Sequence, residues 1–176
     1  MAGQPMPNPP LLAADTNFLI DLAAGDNTAL DCLSTLKRKL PSAPILVLPT
    51  VIGELTDIGS NGDPGSSKIL AIKALQSLRK PWGFLPVNCV PVGHGIVEET
   101  ARKIRASGLL PEEEMNDSFI IAESALANVT ILVSNDGHLK NIEHRALKLI
   151  LESCDLTDTM IVSPGKIVHS FFNSAH

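Results

Sequence analysis

Asn116 to Leu139 reads NDSFIIAESALANVTILVSNDGHL and holds two acids, Asp117 and Asp136, separated by a helix and a strand. Asp117 opens an apolar helical run, FIIAESALA, which begins at Phe119 and closes at Asn128. Thr130 to Val133 is β-branched or apolar throughout, as a strand buried on both faces should be. Ser134 and Asn135 end that strand, and Asp136-Gly137 starts a turn. One carboxylate thus stands at a helix start and another just past the carboxyl end of a central strand. In open parallel α/β sheets, ligands bind outside those strand ends.

Working outward, Leu11 to Ala14 reads as a first strand that ends at Asp15-Thr16-Asn17. A helix follows through Phe18, Leu19, Ile20 and Leu22 and breaks at Gly25. Asp26 or Asn27 caps a second helix with Leu30, Leu33, Leu36 and Leu40 as a core-facing stripe, which Pro41 ends. Its last turn, Lys37-Arg38-Lys39, suits the helix dipole. Ile45 to Leu48 is the second strand, and Pro49-Thr50 opens a helix with Glu54 about one turn in. Gly59 to Ser67, GSNGDPGSS, reads as a mobile connector. It lacks GK[ST] and is not a phosphate-binding loop. Lys68 to Lys80 restores helical spacing through Ile69, Ile72, Leu75 and Leu78. Phe84 to Val90 is a third strand, with Pro86 placing it at an edge. Ile96 to Ala106 is an amphipathic helix that Gly108 ends, and an acidic loop, Glu112 to Glu114, leads back to the opening stretch. Beyond Asp136, helices are expected at His138–Ile142 and Arg145–Leu151, an edge strand at Met160–Val162, and a last helix from Pro164. Strands alternate with helices throughout, which predicts an α/β three-layer sandwich on a mainly parallel sheet.

With 176 residues, 44% of them hydrophobic, the chain is long enough for one sizeable core and too apolar for disorder. Residues 1–10, MAGQPMPNPP, read as a flexible Pro-rich tail, and 11–176 as a single domain. That start has no signal-peptide pattern, and no apolar run reaches the roughly 18 residues of a membrane span. Cys32, Cys89 and Cys154 lack CxxC spacing and read as reduced, mostly buried thiols of a cytoplasmic protein. A net charge of −5 gives no global basic footprint, and one Trp, five Phe and no Tyr argue against a base-stacking platform.

Four acids occupy comparable places: Asp15 and Asp136 after strands, Glu54 and Asp117 near helix starts. Any one alone has an ordinary structural use, since Asp often caps helices. Together they are harder to dismiss, because carboxylates on neighbouring strand ends converge, repel and raise one another's pKa. A divalent metal resolves that conflict, and Mg²⁺ favours oxygen ligands and phosphate.

This set resembles the PIN domain family of small, VapC-like metal-dependent ribonucleases. The matching pieces are ADTNFLIDL (Ala14–Leu22), VIGEL (Val51–Leu55), NDSFIIAESALA (Asn116–Ala127) and VSNDGHL (Val133–Leu139). The closing IVSPGKIVHSFF is similar to the last strand and helix of that fold. The resemblance spans Leu11 to Phe172 and implies five strands in the order 3-2-1-4-5. It also implies that Asp15, Glu54, Asp117 and Asp136 bind Mg²⁺ or Mn²⁺, with Asn17 and Ser134 as supporting polar residues. One departure stands out: His138 occupies a place where the family often has a further acid, and Glu114 is the substitute ligand if one of the four is misassigned.

The implied activity is hydrolysis of RNA phosphodiesters by an endoribonuclease, leaving a 5′-phosphate and a 3′-hydroxyl. The resemblance further implies a homodimer, through the apolar helices at Leu30–Leu40 or Ile69–Leu78, and an antitoxin partner if the chain is a toxin. Lys37, Arg38, Arg79, Lys80, Arg102, Arg105 and Lys140 are candidates for the RNA path. His94, His138, His144 and His169 are dispersed and read as structural or surface residues. The competing reading is a non-catalytic PIN-like module that binds RNA or protein. A haloacid dehalogenase-type phosphotransferase requires a second Asp where Asn17 stands, and a receiver domain requires an acidic pair and a placed lysine that are missing here.

Overall fold

The computed structural model describes residues 9–62, 64–88 and 94–173. Its elements run β1 (Leu12–Ala14), α1 (Thr16–Ala24), α2 (Asn27–Lys39), β2 (Ile45–Val47), α3 (Pro49–Asn61), α4 (Ser66–Ser77) and β3 (Leu85–Pro86). Then follow α5 (His94–Ala106), α6 (Met115–Leu126), β4 (Ile131–Val133), α7 (Gly137–Lys140), α8 (His144–Glu152), β5 (Met160–Val162) and α9 (Pro164–Asn173). The five strands form one sheet in the order β3-β2-β1-β4-β5, flanked by helices, and every pair is parallel. The order is the one that the resemblance implied.

The sheet is short-stranded and apolar because helices cover it. Leu12, Ala13 and Ala14 of β1 have no exposed surface, and Leu132 and Val133 of β4 are equally buried. The main core runs from Leu12 through Phe18, Leu36, Leu48, Leu55 and Ile121 to Ile167. Local signals mark the ends of the early helices. Gly25 takes φ +79, the left-handed conformation that stops α1, and the Asp26 carboxylate accepts from the Ala29 amide at 2.9 Å to cap α2.

Several boundaries differ from expectation. Much of the GSNGDPGSS stretch is helical: α3 runs through Asn61 and α4 begins at Ser66. Asn61 donates to Asp57 one turn back at 2.8 Å, Lys68 donates to the Ser60 carbonyl at 3.0 Å, and α3 packs against α4. Tertiary packing thus overrides the loop-forming composition. The stripe on α4 also differs. Ile69 and Ile72 are 67% and 39% exposed, while Ala71, Ala74 and Leu78 are buried. Helix α4 packs against α1 and α3, and its small alanines lie at that buried side. Leu30 of α2, expected in the core, is likewise exposed, and α4 ends at Ser77, short of Lys80.

Strand β3 is reduced to Leu85–Pro86, paired with Leu46 and Val47. Pro86 cannot donate to a ladder, which confines this strand to the sheet edge. The far end of the expected strand, Cys89 and Val90, lies outside the described residues, as do residues 1–8 of the expected tail. Helix α6 starts at Met115, two residues before Asp117. Among the described residues, no helix is long and apolar enough to cross a membrane.

Candidate metal and phosphodiester site

Strands β1 and β4 are adjacent and in register, Ala14 beside Val133, so the residues that follow them meet outside the sheet. The Asp15 amide continues the ladder by donating to the Val133 carbonyl at 3.0 Å. The Asp15 side chain is then forced against Ser134, whose hydroxyl donates to Oδ2 at 2.7 Å. Ser134 Oγ also accepts from the Asp136 amide at 3.0 Å. One buried hydroxyl therefore bridges the two strand-end acids. Asn17, on the first turn of α1, donates from Nδ2 to Asp136 Oδ2 at 3.2 Å. Both supporting polar residues expected from the sequence contact the expected acids.

Asp136 has two roles. Its Oδ1 accepts from the amides of His138 and Leu139, at 2.7 and 3.2 Å, and so caps α7. The ordinary reading of this Asp as a helix cap is right for one of its oxygens, while the other faces Asn17.

Glu54 reaches the same place from α3. One carboxylate oxygen accepts from the Thr16 hydroxyl and the other from Asn116 Nδ2, the latter at 2.8 Å. Asp117 lies one residue further along α6, and the electrostatics show how close the four acids stand. Its carboxyl is pushed up to about 7, first by burial, then by the charges of Asp15, Asp136, Glu114 and Glu54. Asp15, 2% exposed, rises to about 6. Burial is the chief cause, the Ser134 hydroxyl and Thr16 amide pull it partway back, and Glu54 and Asp136 add repulsion. Two strands and two helices thus bring four carboxylates into mutual influence. Each supporting hydrogen bond fixes a carboxylate that repulsion would otherwise drive away.

Glu114 joins this group through its effect on Asp117, and His138 Nε2 stands 3.5 Å from Glu114 Oε1. The sequence departure at His138 is therefore placed beside the acid named as the substitute ligand. Among the described residues, no three His, Cys, Asp or Glu side chains are already grouped tightly enough to hold an ion. The donor set is all oxygen, which fits Mg²⁺ or Mn²⁺ and not a thiolate- or imidazole-seeking metal. A cleft of about 510 Å³ opens beside Glu54 and Asn116, lined also by Thr50, Gly53, Asp57 and Ile58.

Sequence reasoning missed Thr16, Asn116 and a deeper brace. Glu123, on α6, is 6% exposed and accepts from both the amide and the hydroxyl of Thr50 in the first turn of α3, at 3.1 and 2.8 Å. It ties the helix of Asp117 to the helix of Glu54. Its signal was present in the sequence: Glu123 is the one charged residue inside the apolar run FIIAESALA.

Of the basic candidates, Lys37 lies at the wrong end of the sheet. It donates to the Pro81 carbonyl and lines a cavity with Leu12 and Ile45, at the amino ends of β1 and β2. Arg102 is engaged by Glu99. Arg105 contacts the Ser118 hydroxyl, one residue past Asp117, and Lys140 lies one turn beyond Asp136 on α7. His144 sits 3.3 Å from Asp158, as a partly exposed pair.

No family model matches the chain. No curated protein matches it either. Among solved structures, the chain is similar to one in the crystal structure of VapBC2 from Rickettsia felis bound to a DNA fragment from their promoter. The likeness covers 87% of this chain and 98% of that one, with a TM-score of 0.59 and 14% identity. At that identity, it is the fold that the two chains share.

Proposed function

We propose that this chain is a metal-dependent endoribonuclease of the PIN type, with Asp15, Glu54, Asp117 and Asp136 holding one or two Mg²⁺ or Mn²⁺ ions. The observation that carries this reading is the convergence of four carboxylates from separate elements at the carboxyl ends of β1 and β4, where burial first, and then mutual repulsion, push Asp117 up to about 7 and Asp15 up to about 6. That arrangement is costly in itself and calls for a counter-charge. When bound, a divalent ion supplies the Lewis acidity that makes water nucleophilic and offsets charge on the phosphodiester.

The chain's own residues do the rest. Ser134 fixes the Asp15 carboxylate and, through the Asp136 amide, the turn that presents Asp136. Asn17 orients Asp136, while Thr16 and Asn116 hold the two oxygens of Glu54. Glu123 and Thr50 keep α3 and α6 in register, so that Glu54 and Asp117 face one site. The cleft beside Glu54 is where an RNA strand would lie, with Arg105 and Lys140 to meet its phosphates. The similar structure is a VapBC2 complex on promoter DNA. That supports a role for this chain as a toxin with an antitoxin partner. Self-association belongs to the same reading, and the exposed Ile69 and Ile72 of α4 are the surface it would use.

The test is cleavage of structured and unstructured RNAs with Mn²⁺ or Mg²⁺, against EDTA and Asp15→Asn controls. Metal-dependent cleavage that the variant loses is expected. A folded wild type that binds no metal and cleaves no RNA would instead point to the non-catalytic binding module.

A further inference from the structure

At the amino end of the sheet, opposite the four acids, Leu12 and Ile45 begin β1 and β2 at the wall of a cavity of about 270 Å³. Leu36 and Leu40 from the end of α2, together with Trp82, supply most of the rest. Trp82 is 7% exposed and packs against Phe84, with ring centroids 5.8 Å apart, so this wall is formed before anything binds. The lining side chains are apolar except for Lys37, whose Nζ donates to the Pro81 carbonyl at 3.3 Å. That bond uses one of three ammonium hydrogens. A dry cavity of about 150 Å³ takes up benzene, so this one has room for a branched aliphatic or phenyl side chain.

The charge around the cavity is one-sided. Residues 32–53 and 64–97 supply every wall but Leu12, and they contain none of the chain's 19 Asp and Glu. They hold Lys37, Arg38 and Lys39 at the end of α2, and Arg79 and Lys80 in the turn before Trp82. The contact of Lys37 with the Pro81 carbonyl brings these two basic runs together. Lys37, Lys39, Arg79 and Lys80 are exposed, and among the described residues no carboxylate pairs with them. Cations at a helix end favour its dipole, but that use requires no apolar cavity between them. In a chain of net charge −5, the acids gather at the carboxyl ends of the strands and this basic face lies at the amino ends.

A nucleic acid would match the charge but not the cavity. Bases are read by hydrogen-bonding side chains or stacked on an open aromatic face, whereas Lys37 is the one polar side chain here and Trp82 is buried. A single small carboxylate would engage Lys37 and leave the other cations without a role. An acidic peptide that carries one apolar side chain uses both features. Its anchor fills the cavity and loses its water, while carboxylates on either side meet the cations of the rim. We propose that this face docks an acidic peptide segment of a partner protein, with one Leu, Ile, Met or Phe seated against Trp82. This inference does not depend on the carboxylate site.

The chain has one Trp and no Tyr, so its emission reports this cavity alone. The probes are four acidic heptapeptides with Leu, Ile, Met or Phe at the centre and Asp-Glu-Asp on both sides. Each is titrated into the full chain at about 50 mM salt, with calorimetry in parallel. At least one is expected to shift the Trp82 emission saturably. Its binding is expected to weaken on the order of ten-fold when alanine replaces the central residue, and again at about 0.5 M salt. Lys80→Glu, which reverses a rim charge, and Ala43→Leu, which adds bulk to the cavity wall, are each expected to weaken it on the order of ten-fold. Circular dichroism checks that both variants fold. The proposal is overturned if no heptapeptide binds by either readout, or if the alanine peptide binds as well as the best of the four. Tighter binding of oligo(U) RNA than of that peptide at Trp82 would overturn it in favour of a nucleic-acid surface. The peptide comparisons use the unaltered chain and decide the matter even if a variant fails to fold.

Discussion

Replacing Asp15 with Asn should stabilise the metal-free protein at neutral pH. The Asp15 carboxyl titrates at about 6 in the folded chain against a usual 3.8. Its folded pKa is the higher one, so the folded state holds the proton more tightly than the unfolded state does. Stability that is complete below about pH 3.8 is therefore lost as pH rises to about 6, and the loss is constant above that. At about 1.4 kcal/mol per pH unit, the ionised carboxylate costs the fold up to about 3 kcal/mol. Asp15 is almost wholly buried, so solvent screens its charge little. Asn has nearly the shape of the protonated acid and can still accept from Ser134. Urea unfolding of wild type and Asp15→Asn in EDTA, from about pH 4 to about pH 8, measures this difference, including the repulsion between Asp15 and Asp117 that the variant removes. The expected difference is small at the acid end and grows to as much as about 3 kcal/mol in favour of the variant. A difference that does not change with pH would refute the reasoning, since it would mean that Asp15 carries no strained charge.

Three further outcomes follow from the same contacts. Ser134→Ala removes the hydroxyl that favours the Asp15 carboxylate, so the Asp15 midpoint should move further up, which carboxyl carbon NMR titration would follow. Glu123→Gln exchanges a buried charged acceptor for an amide opposite the Thr50 N–H and hydroxyl, and should cost about 1–3 kcal/mol in denaturant unfolding. It should also weaken metal binding by loosening Glu54 against Asp117. Asp26→Ala, at the cap of α2 and beyond the far end of α1 from Asp15, should cost about 1 kcal/mol and leave metal affinity unchanged, as thermal melts and a metal titration would show.

The sheet was legible because buried parallel strands are short, apolar runs with few alternatives, as LLAA, ILVL and TILV show. The strand-end acids were legible for a related reason: in such a sheet, a polar residue directly after an apolar run has one place to go. What the sequence concealed was decided by tertiary packing. Helix α3 continues into GSNG because α4 packs against it, and Ala71 and Ala74 rather than Ile69 and Ile72 face the interior because close helix approach favours small side chains. Glu54 could be located from its motif, but its partners Thr16 and Asn116 are 38 and 62 residues away in sequence, and no local pattern links them. The Glu123–Thr50 brace spans 73 residues and was hidden in the same way.

Calorimetric titration of Mn²⁺ into wild type and Asp136→Asn, in buffers of different ionisation enthalpy, tests the central claim most directly, because it measures binding and counts released protons together. Near pH 6.5, Asp117 and part of Asp15 carry protons that a bound cation must displace. The account predicts binding by wild type with proton release of about one per site near pH 6.5, falling toward zero above about pH 8.5, and much weaker binding by Asp136→Asn. Absence of binding, or binding with no proton release at the lower pH, would contradict it.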